Sequence, residues 1–568
     1  MVLAIATMLV KVIGAVFKIP LDHILHSTGM GYFSAAYSIF TPLNSLAIAG
    51  FPVAVSKMVS ESVARGRYRD VRRIRKISSR LFFITGLCGF AIMFFGARLL
   101  VELINNPGSY WSVLALAPAI FFCCIMSSIR GYYQGLSNMV PTATSQVVEA
   151  VAKLGAGLAL AYFAMDYAQR QYAETGSIFG QVCATAEEAQ VVTYQLGSAG
   201  AILGITISTF CGAAFLVLRH RLKGDGITRE ELRAAPEPKS NRQILRRMVA
   251  LAIPVCLGSL AVNLSSLVDT TTILGRLEAA IESNGAYFQS TYADLLNEGG
   301  VLYENLATSL FGIYSGKAVT IFNLVPAFCS TLGVSAIPSV AAAWALKNRR
   351  DIRRSVESVM RVTSMIAMPA GIGLCVLAEP VLTLLYGSNA QEVAVCVPLM
   401  QVMGIASIFA ATVAPLNSTL QAVGRVDVPV KLMVIAGVIK FVLNYIFVGM
   451  PQINIHAAPY STLICYLVAV VLGMVILRHT VQVRLNFTSM FLKPLIASLF
   501  CGVTAWLSYS LLSRFIQSRL VVFGAIVLAA LVYAVVLLLI RGVAKNDVLM
   551  LPKGEKIAKI LEKHSLLG

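Results

Sequence analysis

A charged side chain inside an apolar run needs a reason to be there, and this chain has several. Lys11 and Lys18 both lie in the first such run, VLAIATMLVKVIGAVFKIPL. They are seven residues apart, about two helical turns, so a helix presents them on one face. An ionisable group at the centre of a bilayer costs ~2.5 kcal/mol or more. Lys11 is mid-span with no interface in easy reach, so it is expected to hold a functional charge. Lys18 precedes Ile19-Pro20 near the span's end, where snorkelling is an equal alternative. Glu149 and Lys153 form an i,i+4 pair in the favourable order, suited to a structural bridge or a substrate contact. Lys317 opens a later apolar run, where it can rest at the outer interface or face a substrate. Asp269, Lys440 and Asn444 lie inside others, and Asn44 inside the second. Asparagines in such settings often join helix to helix. The chemistry open to this set is electrostatic recognition in a low dielectric, not bond breaking. There is no GxSxG, HExxH or Walker A loop, so neither enzyme activity nor a cofactor is expected.

The elements that carry these residues follow from composition. Of 568 residues 57% are hydrophobic and only 13% charged, against about 25% charged in a soluble protein. Runs long enough to span a bilayer recur along almost the whole chain. The reading is an all-α polytopic membrane protein of about fourteen transmembrane helices. Spans 1 to 6 are expected within 1–220 and spans 7 to 12 within 247–480, joined by a linker at 221–246. A helix pair at 489–540 and a basic tail at 541–568 complete the chain. The formal charge of +19 sorts by side: alternate connections such as Ser56–Arg80, Arg219–Arg247 and Leu346–Arg354 are basic, and the others almost lack Lys and Arg. By the positive-inside rule both termini are cytoplasmic, and anionic lipid headgroups are the expected neighbours of the basic loops. The basic segments lack interleaved aromatics, which argues against nucleic acid. The 11 cysteines fall mostly in apolar spans with no CxxC pair, so neither a disulfide framework nor a metal site is expected. Two long outer connections, near 165–196 and 276–316, leave surface helix and irregular structure equally open.

Two pairs of segments repeat. LAIAGFPVAVSKMVSESVARGRYRDVRRI, from Leu46, is echoed by LGVSAIPSVAAAWALKNRRDIRRS, from Leu332. Each passes a small-apolar-Pro step into a basic patch ending Arg-Asp-aliphatic-Arg-Arg. RGYYQGLSNMVPTATSQVVEAVAKLG, from Arg130, is echoed by LQAVGRVDVPVKLMVIAGVIKFVLNY, from Leu420. Spans 1–6 and 7–12 are therefore two six-helix pseudo-repeat lobes, and internal repeats of this kind mark transporter folds.

The stretches from Lys11 to Glu61 and from Arg130 to Leu154 resemble the stage V sporulation protein B group. That group is one of the polysaccharide-biosynthesis proteins in the MOP (multidrug/oligosaccharidyl-lipid/polysaccharide) exporter superfamily. More distantly the chain is similar to MurJ-type lipid II flippases. The resemblance implies a bacterial plasma membrane protein that moves a polyprenyl-diphosphate-linked saccharide from the inner to the outer leaflet, acting as a monomer. It implies a cationic cavity between the lobes to which Lys11 and Lys18 contribute, with Asn44, Glu149, Lys153 and Lys317 as further substrate-binding candidates. It also implies a sodium site in which Asp269 matches the acid of the seventh helix. The two eleventh-helix positions fall on Lys440 and Asn444, so a fixed ammonium there either pairs with Asp269 in place of sodium or points elsewhere in the cavity and touches substrate. Gly31 stands about where the MurJ-type group has an Asp, and Asn44 near where it has an Arg. A drug/cation antiporter would want an acid in the N-lobe cavity, and a non-transporting envelope or sporulation scaffold would not need charge inside both lobes.

Overall fold

The computed structural model describes residues 2–544 except 49, 347, 388, 426, 484 and 517. Most of the expected basic tail, and the side chains at 331–339 in the second copy of the Pro motif, lie outside the described residues. In chain order the helices are α1 (Val2–Ile48), α2 (Gly50–Ala64), α3 (Tyr68–Phe95), α4 (Ala97–Leu103), α5 (Tyr110–Gly135), α6 (Val140–Thr175) and α7 (Ala186–Lys223). There follow α8 (Arg229–Ala234), α9 (Asn241–Ser283), α10 (Gly285–Thr291), α11 (Ala293–Asn297), α12 (Leu306–Gly312), α13 (Val319–Phe322) and α14 (Leu324–Ala345). The last seven are α15 (Arg349–Val376), α16 (Ala378–Tyr386), α17 (Ala390–Ala422), α18 (Asp427–Phe447), α19 (Ala457–Val481), α20 (Lys493–Phe515) and α21 (Val521–Leu539). Among the described residues twelve stretches are long and apolar enough to cross a membrane. One of them, Leu9–Ala64, is 56 residues long and covers the first two expected spans. Reading it as two, and adding α9 for the seventh, gives the fourteen expected.

Packing divides the chain into two compact units, one of residues 1–283 with 301–316 and one of 284–300 with 317–568. The cut does not follow the expected lobe boundary at the linker, because α9 packs on α1, α2 and α3, and α12 packs on α1 and α9. In the first unit α1 touches α5, α6, α7, α9 and α12, while α6 and α7 run against each other. In the second, α17 is central, packed by α14, α15 and α19, and the pair α20–α21 docks through α20 on α15.

Several local features explain this arrangement. Between the first two spans, α1 is two helices that meet at a kink at His26 (φ 51, ψ −172), and the residues around it are mostly buried apolar or small ones. The 165–196 connection resolves into the long ends of α6 and α7, closed by an antiparallel pair, β1 (Ser177–Ile178) and β2 (Gln181–Val182), with Ser177 opposite Val182. Thr185 caps α7 by accepting from the Glu188 amide, one of the donors a helix start leaves over. The two quoted N-terminal motifs meet: Gly131 and Gly135 of RGYYQG lie on one face of α5, against Pro52 and against Ser56 and Val59 of α2. Gly31 is similarly constrained, since a Cβ there would run into the Thr308 carbonyl of α12. That contact explains why no acid stands at 31. Gly31→Asp is expected to prevent stable folding, checked as loss of the monodisperse peak on solubilisation, whereas Gly14→Ala, with open space around it, should leave the peak intact.

The first basic patch is engaged by protein. Arg69 donates to the Leu232 carbonyl at 2.9 Å and Arg73 to the Lys239 carbonyl at 2.8 Å, while Arg67 reaches Glu237 at 3.1 Å. Asp70 is buried; it accepts from Arg67 at 2.6 Å and from the Lys239 amide at 2.7 Å. The patch thus fastens the linker to the start of α3. Arg72, Lys76 and Arg80, four residues apart on one helix face, remain exposed. Asp70→Ala leaves the Lys239 amide and the Arg67 guanidinium without this acceptor. It is expected to speed proteolytic cutting between residues 224 and 240, read by mass spectrometry of the fragments.

Candidate functional site

The first unit gathers cations on α1 and α6. Lys11 is exposed and Lys18 half-buried, both on the same face of α1. Lys153 of α6 places its Nζ 4.9 Å from the Phe17 ring centroid and 5.8 Å from that of Tyr37. The seat is itself ordered: Phe33 stacks on Tyr37 at 6.0 Å and an interplanar angle of 12°, and leans on Phe17 at 6.4 Å. An ammonium over such faces gains about 0.5–2 kcal/mol and keeps its charge available to an anion. Phe17 is adjacent to Lys18, so Lys18 and Lys153 flank one region. Asn44 is half-buried on the same helix, and its Oδ1 is buried with no hydrogen-bond partner among the described residues. A buried acceptor without a partner is uncommon.

Glu149 does not make the expected bridge with Lys153. Its ion-pair partner is Arg130 of α5, at 2.9 Å, and the same guanidinium donates through Nε to Ser145 at 2.9 Å. A planar fork can serve acceptors on successive turns of a facing helix at once, which an ammonium on its own helix cannot. The consequence is a division of labour: Arg130 neutralises the acid, and Lys153 is left to the aromatic seat.

In the second unit Lys317 is not open to a substrate. It is 1% exposed, paired at 2.9 Å with an equally buried Glu392 of α17 and held 4.8 Å from the Tyr386 ring. Residues 313–318 form a π-helical turn. The extra residue in that turn shifts Lys317 out of α-helical register and re-aims it inward. Lys440 and Asn444 are both buried on α18, and Asn444 accepts from the Ser461 hydroxyl of α19. Asp269 is half-buried on α9, in the first unit. The expected coupling set is thus divided between the units, Asp269 in one and Lys440 with Asn444 in the other. Arg361, inside the ninth span and missed by the sequence reading, is buried and donates to Ser489 at 3.1 Å. Asp22, one turn beyond Lys18, is also buried.

The described residues form a helical bundle of membrane-spanning length with buried charge in both units, and the relatives of the chain are transporters. The chain belongs to the polysaccharide biosynthesis protein family, whose model matches residues 1–344, and the lipid II flippase MurJ model matches 182–526. Among curated proteins it is 23% identical to the lipid II flippase MurJ of Bacillus subtilis (strain 168), over 84% of this chain and 81% of that one. It is 21% identical to stage V sporulation protein B of the same organism, over 97% and 96%. Of solved structures, a lipid II flippase MurJ in an inward closed conformation superposes with TM-score 0.61 at 12% identity, covering 94% of this chain and 97% of the other. An inward-facing MATE multidrug resistance transporter of the MOP superfamily gives 0.57 at 16%, covering 84% and 98%. The chain shares its fold with both structures.

Proposed function

We propose that this protein is a flippase that carries a polyprenyl-diphosphate-linked saccharide from the inner to the outer leaflet of a bacterial plasma membrane. The observation that carries the reading is the cationic face of the first unit: Lys11, Lys18 and the aromatic-seated Lys153, with the unpartnered Asn44 Oδ1 on the same helix. A diphosphate offers many acceptor oxygens to such donors, and charge-assisted bonds of this type are the strong ones. Membership of the polysaccharide biosynthesis protein family supports a saccharide-bearing substrate. Transport proceeds by alternating access in a monomer, and an inside-negative potential favours outward movement of the anion by ~2.3 kcal/mol per charge per 100 mV. Antiport through Glu149 is disfavoured because Arg130 already neutralises it. The exposed stripe of Arg72, Lys76 and Arg80 suits anionic headgroups at the inner surface.

Orientation is tested separately from transport. In a cysteine-free background, a membrane-impermeant maleimide added to intact cells is expected to label Gln181→Cys and Ser290→Cys. Arg72→Cys and Arg229→Cys should label only after permeabilisation. The opposite pattern would invert the topology.

A further inference from the structure

The helices α6 and α7 are 36 and 38 residues long, roughly 54–57 Å at 1.5 Å per residue. A bilayer core is about 30 Å thick, so both project well beyond it. Their hairpin end lies away from the basic connections: α5 finishes against the α2 end of the Ser56–Arg80 segment at Gly135, and α6 runs from there to the hairpin. Near this hairpin end, between the last turns of α6 and the first turns of α7, is a cavity of about 330 Å³ within the first unit. It is lined by His26, Gln169, Tyr172, Gln190, Thr193 and Tyr194, together with small apolar side chains and Met165.

Two independent features mark it as a built site. The walls are fixed: Ile178 and Cys183 of the hairpin are buried against Ala168 and Ala189, with Tyr172 packed on them. His26 and Tyr194 meet edge to face at 6.1 Å, and Gln190 donates to the Tyr194 hydroxyl at 3.3 Å. The second feature is strain. His26 adopts φ 51 with ψ −172, a region almost reserved for glycine and costly for a side chain. The break that folds α1 is thus made at a residue whose ring lines the cavity, where glycine would have been the easier choice.

The lining says what fits. It has no carboxylate, ammonium or guanidinium, so a phosphate or a metal ion gains nothing there. It has too many polar atoms for an acyl chain. Amides and hydroxyls can both donate and accept, and aromatic faces carry negative charge that attracts the weakly positive C–H face of a pyranose. The volume lies at the lower end of the range for small-ligand pockets, enough for a sugar unit and not for a whole lipid-linked molecule. We propose that this cavity is a saccharide subsite that receives a neutral hexose or N-acetylhexosamine of the translocated headgroup at the outer side of the membrane. It rests on the flippase reading and adds a second point of recognition, for sugar, to the cationic face that would hold diphosphate.

The test uses the full chain in nanodiscs with free N-acetylglucosamine, glucose and galactose as probes, read by saturation-transfer NMR. At least one sugar is expected to show transfer to its ring protons. Gln169→Ala with Gln190→Ala should weaken that binding about tenfold or more, the loss expected from removing two hydrogen bonds. Gln169 is exposed, so Gln169→Ala alone serves as a variant certain to leave packing untouched. His26→Gly should raise the melting temperature by relieving strain, and weaken sugar binding by removing the ring. No transfer from any of the three sugars, or transfer unchanged in the double variant, would overturn the subsite. Measured in parallel, translocation without sugar binding sinks this inference and leaves the flippase reading standing. Sugar binding without translocation upholds the cavity's chemistry and sinks the flippase reading instead.

Discussion

Lys153→Ala is expected to slow translocation on the order of 10- to 100-fold, with the protein still folded and present in the membrane. The side chain is half-buried and rests on Phe17 and Tyr37, so it is held in place without being consumed by an ion pair. Removing one charge-assisted hydrogen bond to phosphate costs about 1.5–3 kcal/mol, and that energy converts directly to rate when it is made in the rate-limiting complex. Lys153→Arg should keep part of the activity, since charge persists while the planar group fits the seat differently. Lys11→Ala should act in the same direction, and Lys11→Arg should again retain part. The readout is the initial rate of substrate appearance in the outer leaflet, beside a thermal melt of each variant. Full activity in both alanine variants would reduce these lysines to packing or snorkelling roles.

The second large effect is on stability. Lys317 and Glu392 are each 1% exposed and bridged at 2.9 Å. Removing one member of such a pair strands a buried charge at about 3–5 kcal/mol, whereas replacing both with apolar groups of similar size is often neutral or stabilising. Lys317→Ala is therefore expected to lower the melting temperature in detergent sharply. The double variant Lys317→Met with Glu392→Leu should melt close to the unaltered protein. If the single variant melts normally, the pair contributes little and Lys317 returns to the list of substrate contacts.

How much of this was legible in the chain can be judged residue by residue. The apolar runs set the helices, and the helix period placed Lys11 with Lys18 and Glu149 within reach of Lys153. Those relations lie within one helix. What could not be read were relations between helices. Arg130 takes Glu149 from across α5 and α6, and Glu392 meets Lys317 from α17, because crossing angles and register decide those contacts and hydropathy does not encode them. The Lys317 case was further hidden by a π-helical turn, which shifts a side chain without changing composition. The Arg67–Arg73 patch reads in sequence as a solvated, lipid-facing loop, yet three of its arginines and Asp70 hold the linker. Gly131 and Gly135 are four apart, the spacing that lets a second helix approach closely. The change from the first span to the second was legible around His26, but not that it takes the form of a one-residue kink between two helices.

The central claim is translocation of a lipid-linked saccharide, and one measurement addresses it directly. The purified chain is reconstituted in liposomes with a fluorescent polyprenyl-diphosphate-linked sugar, and exposure on the far leaflet is followed by quenching with an impermeant reagent. The account predicts exposure faster than in protein-free liposomes, accelerated when a potential is imposed negative on the side from which the anion departs, and slowed by Lys153→Ala. Exposure no faster than in protein-free liposomes, with or without the potential, would contradict it.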